Sequence, residues 1–315
     1  MHKNAIKLLS YCLLILVIFG MFYHYRDDIY AVFSRVKWSY IGILSLLHIP
    51  MIALGGLSFK FLCSHYEINL KWRDWAGLSF IANFLNQLLP YRLGMGFRYL
   101  YMRQHFHMAN SQFVYVMLIY FVFTIVICAI FALLGWLFSN LPATFNHLFY
   151  VTCLLGFFFT GFIIWLKRSR FNATQIMGKA LTALQELIAD PKIFFFSFIA
   201  LTLVNILMAA LFYLCLLAIN APLPISHCLF LVGVLTIAML FPLTPGNIGI
   251  LEALFGTLTQ VIYHDFSMGF AAIALYRVSQ WIPSIILGST FSFLLAGSII
   301  PSISGEYKSK MGRVN

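Results

Sequence analysis

The sequence predicts an all-α, polytopic helical membrane protein with two broken, re-entrant helix segments related as an inverted repeat. Three observations carry that prediction. Of the 315 residues, 62% are apolar and 9% are charged. A soluble domain has roughly 45–50% and about 25%, so there are too few charges here to coat a water-facing surface. Apolar runs recur along the chain, several near the roughly 20 residues with which a helix crosses a bilayer. Two segments are short or split by Pro and Gly at corresponding places in the two halves, a pattern that points to a binding site at the repeat interface. A soluble enzyme, a disordered chain and a membrane protein with a sizeable soluble domain are excluded.

Taken in order, Lys3 and Lys7 precede a run over 8–25. It ends Phe19-Gly20-Met21-Phe22-Tyr23-His24-Tyr25, without the small residues of a cleavage site, and is expected to persist as an uncleaved first helix. Runs over 39–63, 111–138, 146–166, 193–219 and 268–299 read as further helices. The run over 76–90 stops at Pro90, and the runs 226–244 and 247–263 are split by Pro242, Pro245 and Gly246. The layout that fits Lys and Arg has a cytoplasmic N-terminus, with 76–90 dipping in and returning and 226–263 doing so from the opposite side. Lys and Arg then divide 16 to 3 in favour of the cytoplasm, with Arg277 left inside the membrane, as the positive-inside rule requires. Treating 76–90 as a full span puts Arg98 and Arg103 outside. The expectation is one transmembrane domain over 1–315 in the cell membrane, with both termini cytoplasmic. Its repeat halves are 1–166 and 193–300, its cytoplasmic loop is 167–192 and its cytoplasmic tail is 301–315.

The net charge of +11 sets topology and attracts anionic headgroups; no nucleic-acid-binding pattern accompanies it. The six cysteines lie in or beside apolar runs without a CxxC pair, which reads as buried thiols, not a disulfide framework or zinc site. No metal and no cofactor is expected.

A few residues are costly where they stand. Glu252 is the one acid within a long apolar segment; a charge at the bilayer centre costs at least about 2.5–3.5 kcal/mol, so it needs a partner, a proton or water. Arg277 is its basic counterpart, with Gln280 and Ser284 on the same helical face. It either holds a lipid phosphate or pairs with Glu252. Asn83, Asn86, Gln87 and Pro90 make a polar stripe on the short helix, which either bonds neighbouring helices or lines a cavity. Arg92 and Arg98 follow near headgroup depth, where the guanidinium fork suits phosphate; a purely topological role needs only their charge. Pro242, Pro245, Gly246, Asn247 and Gly249 break a helix near membrane depth. The helix starting near Asn247 aims its N-terminal amides at the break, which favours an anionic group there.

These residues resemble the flippase-like transmembrane domain of lysylphosphatidylglycerol synthase, a family that includes stand-alone members without the synthase domain. The resemblance rests on three motifs. They are Asn86-x-x-x-Pro90-x-Arg92-x-Gly94-x-x-x-Arg98, Pro242-x-x-Pro245-Gly246-x-x-Gly249-x-x-Glu252, and Arg277 early in the last helix with Pro283 and Gly288 after it. The second is the most specific, and the order of motifs fits over nearly the whole chain. Tyr91 stands where the family often has Gly, Met95 where an acid often follows Gly94, and Asn247 where the motif usually reads Pro-Gly-Gly. These departures leave the cargo open. With only residues 300–315 after the last apolar run, no aminoacyl-transferase domain is expected there.

The resemblance implies translocation of a lipid or lipid-linked precursor, an expected transporter and not an enzyme. The candidate cargoes are an anionic phospholipid, an aminoacyl lipid and a lipid-linked sugar, with a synthase or glycosyltransferase as possible partner. Arg92, Arg98 and Arg277 are expected to engage phosphate, and Glu252 to pair with Arg277 or a cationic headgroup. Two rivals stand beside it. One is a small polyprenyl-phosphate-dependent glycosyltransferase using Asp27 or Asp28, just beyond the first helix. The other is a non-catalytic subunit of an envelope-assembly complex.

Overall fold

The computed structural model describes residues 27, 30, 34, 36–89, 93–139, 146–168, 181–182, 185–186, 188–240 and 244–311. The expected first helix over 8–25 lies outside them, as do most of the loop 167–192 and the end of the tail. Among the described residues there are nine α-helices and no strand. They are α1 Ser39–Ser64, α2 Trp72–Leu88, α3 Leu93–Phe106, α4 Asn110–Leu137, α5 Asn146–Arg168, α6 Pro191–Ala218, α7 Ile225–Met239, α8 Ile250–Tyr263 and α9 Phe266–Met311. Each apolar run within the described residues is a helix with ends shifted by a few residues, except that α9 continues past its run. One helix, α3, was not among the runs, because its Gly94, Gly96, Arg98 and Arg103 hide it from a hydropathy reading.

Among the described residues four helices are long and apolar enough to cross a membrane: α1, α4, α6 and the Phe266–Leu295 part of α9. Their outward faces carry large exposed apolar side chains, such as Leu46 at 67% and Phe293 at 83% exposure. Side chains of this kind along mid-helix belong against lipid. Trp38 and Trp72 stand exposed at opposite ends of the bundle, where amphipathic rings meet headgroups. The protein is therefore an all-α, multi-pass membrane protein.

The helices pair antiparallel in a readable register. Along α1 and α6, Ser58 Oγ donates to Ser197 O at 3.3 Å, while Lys37 N donates to Ala218 O at 3.0 Å beyond the other end. Trp136 of α4 stacks on Phe149 of α5 at 4.3 Å. Gly135 and Gly233 let α4 and α7 approach so closely that a Cβ at either would lie within 2.5 Å of the other helix's backbone. One face of the bundle thus carries Lys71, Arg73, Arg103 and Lys192, and the other carries Lys37, among the described residues. Acids open several helices. Asp74 accepts from Lys71 N, Asp190 from Lys192 N and Ile193 N, and Asp265 from Met268 N. Each satisfies amide donors that a helix start leaves open.

The two interrupted segments are helical hairpins. In the first, Tyr101 Oη donates to Asp74 at 2.8 Å and Arg98 to Ser79 at 3.4 Å. Gly94 sits so close to α2 that a Cβ there would fall 2.1 Å from Ala82 O. Residue numbers rise on α3 as they fall on α2, so the chain returns to the face it left. In the second hairpin, His227 near the start of α7 bonds Tyr263 at the end of α8, so this segment also returns. At 15 residues for α7 and 14 for α8, and 1.5 Å per residue, neither arm reaches across the roughly 30 Å hydrocarbon layer.

Helix α9 orders the two hairpins. Gly269 of α9 packs on Phe255 and Thr259 of α8, and Arg277 meets Glu252. Further along, Gln87 bonds Ser284 at 3.3 Å, and Phe80 stacks on Phe291 at 5.8 Å. The hairpins therefore run in from opposite ends of α9 and meet near its middle, where a Cβ at Gly246 would come within 3.2 Å of Gln87 O. Each hairpin has its own apolar core. One gathers around Phe212, Phe255 and Tyr276, the other around Phe59, Phe113 and Phe123.

Candidate functional site

A cavity of about 360 Å³ lies where the hairpin tips meet, bounded also by α1, α4, α6 and α9. Of the site residues expected from sequence, Asn83, Asn86, Gln87, Arg98, Gly246, Asn247, Arg277 and Gln280 line it. Glu252 and Gly249 lie behind the lining. Pro90, Arg92 and Pro242 lie outside the described residues. Gly94 belongs to the first tip and does not line the cavity, and Pro245 begins the turn of the second.

The second tip is knitted together by charge. Backbone released by the break is tolerated at membrane depth only when it is paired or wet, and here it is paired. Arg277 donates from Nε to Glu252 Oε1 at 2.6 Å, from Nη1 to Gly246 O at 2.7 Å and from Nη2 to Asn247 O at 3.3 Å. The other Glu252 oxygen accepts from Gly249 N at 2.7 Å. Asn247 Nδ2 donates to Met239 O, at the open end of α7, at 3.5 Å. The turn Pro245–Asn247 needs left-handed backbone: φ is +57° at Gly246, +54° at Asn247 and +82° at Gly249. Glycine adopts this conformation without strain, and Asn is among the side-chain-bearing residues that tolerate it best. That is the physical reason Asn247 is accepted where the motif usually has Gly.

Arg277 takes Glu252 as its partner, and the anion at the start of α8 is Glu252 itself, third in the helix, as in a capping box. Both Glu252 oxygens are engaged by protein, and the residue is 5% exposed. Glu252 is buried and Arg277 is largely so, and hydrogen bonds to the tip accompany the ion pair, which helps such a pair persist away from water.

The first tip is held by amides. Asn86 Oδ1 accepts from Gly94 N at 2.9 Å, so a side chain of α2 caps the start of α3. Gln87 Nε2 donates to Asn83 Oδ1 at 2.8 Å and to Ser284 Oγ at 3.3 Å, and Ser284 Oγ donates to Gln280 O at 2.7 Å. The amide stripe therefore both bonds neighbouring helices and lines the cavity.

Arg98 contrasts with Arg277. It lines the cavity with its guanidinium carbon 4.6 Å from the centre of the Phe59 ring, a cation–π contact. One Nη donates weakly to Ser79, and its buried Nε–H has no partner. Among the described residues no carboxylate pairs with it. Eight residues of α2 separate Ser79 from Gln87, about 12 Å at 1.5 Å per residue, so Arg98 stands back from the tips toward the base of its hairpin.

Sequence reasoning missed several lining residues: Ser79, Tyr120, Thr124, Asn205 and Thr236. Tyr120 and Thr124 share an i, i+4 face of α4, which was a readable signal. Asn205 and Thr236 are single polar residues in apolar helices and carry no such pattern. His48, buried in α1 and bonded to Ser279 Oγ at 3.1 Å, was likewise passed over. Asp27 is exposed and not part of the cavity, and Asp28 lies outside the described residues. Cys63, Cys128, Cys215 and Cys228 are buried and none is in a disulfide. Among the described residues no group of His, Cys, Asp and Glu is arranged to hold a metal.

The fold is thus that of a helical multi-pass membrane protein with a cavity, lined by polar and apolar side chains, between two opposed hairpins. The family profile described as the lysylphosphatidylglycerol synthase TM region matches residues 6–288, and the chain belongs to that family. No curated protein and no solved structure matched the chain in the same comparisons.

Proposed function

We propose that the protein is a lipid translocase that passes a polar headgroup through the cavity while the acyl or prenyl tails stay in the surrounding lipid. The observation that carries this reading is the cavity itself: polar side chains gathered where two hairpins meet halfway along a membrane-spanning helix. Membership of a membrane family related to lysylphosphatidylglycerol synthase supports it. Sites at the meeting of broken helices are the usual binding place in transporters that rock one half against the other. The two hairpins, each with its own core, supply two such halves, in keeping with an inverted repeat of 1–166 and 193–300. The more basic bundle face is taken as cytoplasmic, in the cell membrane, with both termini on that side. Arg277 and Glu252 fix the second tip, and the amides of Asn83, Asn86, Gln87 and Gln280 face the headgroup. Net flow comes from a gradient or from consumption of the lipid after it crosses, as by a synthase or glycosyltransferase partner.

The test is translocation of labelled lipid in proteoliposomes, with Glu252→Gln beside wild type. The expected result is transport by wild type and a large loss in the variant, which retains an acceptor for Gly249 N but weakens the hold on Arg277. Equal rates in wild type, variant and empty vesicles would remove the translocase reading for the isolated chain.

A further inference from the structure

We infer that the cavity selects a net-anionic headgroup, a phosphate seated on Arg98 and joined to a small neutral hydroxylated group, and rejects a cationic aminoacyl headgroup. The inference rests on the reading of the cavity as a headgroup site and specifies that headgroup's chemistry.

Charge in the lining carries the argument. The two charged side chains that line the cavity are Arg98 and Arg277. The Arg277 charge is neutralised from behind by Glu252 at 2.6 Å. Among the described residues no acid lines the cavity. Among the described residues the cavity lining therefore carries an uncompensated positive charge at Arg98, in surroundings less polarisable than water, where charge acts strongly. An ammonium group entering it would meet a like charge and no carboxylate. Arg98 also keeps a buried Nε–H with no partner, a donor that costs free energy until an acceptor arrives. Phe59 covers the ring-facing side of the guanidinium, so its edge remains for the two-point contact that suits phosphate oxygens.

The remaining polar lining is neutral. The amides of Asn83, Gln87, Gln280 and Asn205 and the hydroxyl of Thr124 can both donate and accept, as hydroxyl groups require. A volume of about 360 Å³ is at the low end of ligand sites, roughly 300–1,000 Å³, which suits a phosphate with one small polyol or sugar unit. Phosphatidylglycerol and a polyprenyl-phosphate monosaccharide share this chemistry.

The test is equilibrium binding to the purified full chain in nanodiscs of zwitterionic lipid. The probes are short-chain phosphatidylglycerol, a short-chain polyprenyl-phosphate hexose, lysylphosphatidylglycerol and phosphatidylcholine. At least one of the first two is expected to bind about tenfold or more tightly than the last two, and Arg98→Gln to abolish that preference. Whichever anionic probe binds identifies the source of the phosphate. Arg103→Gln, on an exposed turn of the same helix, is expected to leave binding unchanged, which separates a seat at Arg98 from general surface charge. Where Arg98→Gln does not fold, Arg98→Lys serves, because it keeps the charge and loses the fork; weaker anionic binding supports the seat, and unchanged binding overturns it. Lysylphosphatidylglycerol binding as tightly as the anionic probes, or a preference that survives Arg98→Gln, also overturns the inference. Binding is read without transport. Selective anionic binding with no translocation removes the translocase and keeps the site, whereas translocation blind to headgroup charge removes the site and keeps the translocase.

Discussion

The two hairpins solve the same problem with different chemistry. Each turns the chain around inside a bilayer, where a turn exposes backbone groups that lipid cannot bond. The α7–α8 hairpin closes its tip with an ion pair: Arg277 bonds two tip carbonyls and Glu252, and Glu252 bonds Gly249 N. The α2–α3 hairpin uses neutral amides, Asn86 on Gly94 N and Gln87 on Asn83 and Ser284. The difference lies in where charge is left over. At the second tip the cation is matched by an acid and is part of the scaffold. Near the first, Arg98 is matched by no acid among the described residues and lines the cavity. An arginine inside a membrane protein is thus not a ligand site by its presence alone; its partners decide.

The largest expected effect breaks the matched pair. Glu252→Ala or Arg277→Ala leaves a buried charge without its partner and should cost about 3–5 kcal/mol, seen as a lower melting temperature of the purified protein in detergent. The double variant should cost less than the sum of the two, with a coupling of about 0.5–3 kcal/mol. Arg98→Gln removes an unmatched charge and should leave the melting temperature level or higher; a fall as large as that of Arg277→Ala would erase the distinction between the two arginines.

Next come the glycines that let the tips form. Gly94→Ala drives a Cβ to 2.1 Å from Ala82 O and should cost about 1–3 kcal/mol through overpacking. Gly246→Ala places a side chain at φ +57° and should cost about 1–2 kcal/mol. Cysteine pairs that crosslink the hairpin arms in wild type should crosslink more slowly in the Gly94 variant only. Asn86→Ala loses the cap on α3 and should cost about 1 kcal/mol, while Asn86→Asp, which keeps the acceptor, should recover most of it. The smallest effect is expected from Gln87→Leu or Ser284→Ala, about 0.6 kcal/mol for one interhelical hydrogen bond in a membrane protein, measurable as the coupling in a double-variant cycle.

Legibility followed the physics of each feature. Helices α1, α4 and α6 were readable because a long apolar run has one stable form in a bilayer. The interruptions between α2 and α3 and between α7 and α8 were readable because Pro and Gly act locally on the backbone. Glu252 and Arg277 stood out because charge is rare and costly in such runs. Their pairing did not, since it joins residues 25 apart on two helices, and sequence left a lipid phosphate as an equal partner. Helix α3 escaped because its hydrophobic face is narrow and its partner face is set by Gly94 against α2.

The sequence by itself thus determined the class of protein, the helices and their breaks, and the residues too costly to be incidental. Each of these follows from local composition, periodicity and the price of charge in lipid. Tertiary structure alone decided which arginine is matched, that Glu252 faces inward to the tip and not the cavity, and that Tyr120, Thr124, Asn205 and Thr236 share a space with Arg98. Those outcomes depend on which faces of distant helices meet, and packing register across a bundle is not written in any one stretch of chain.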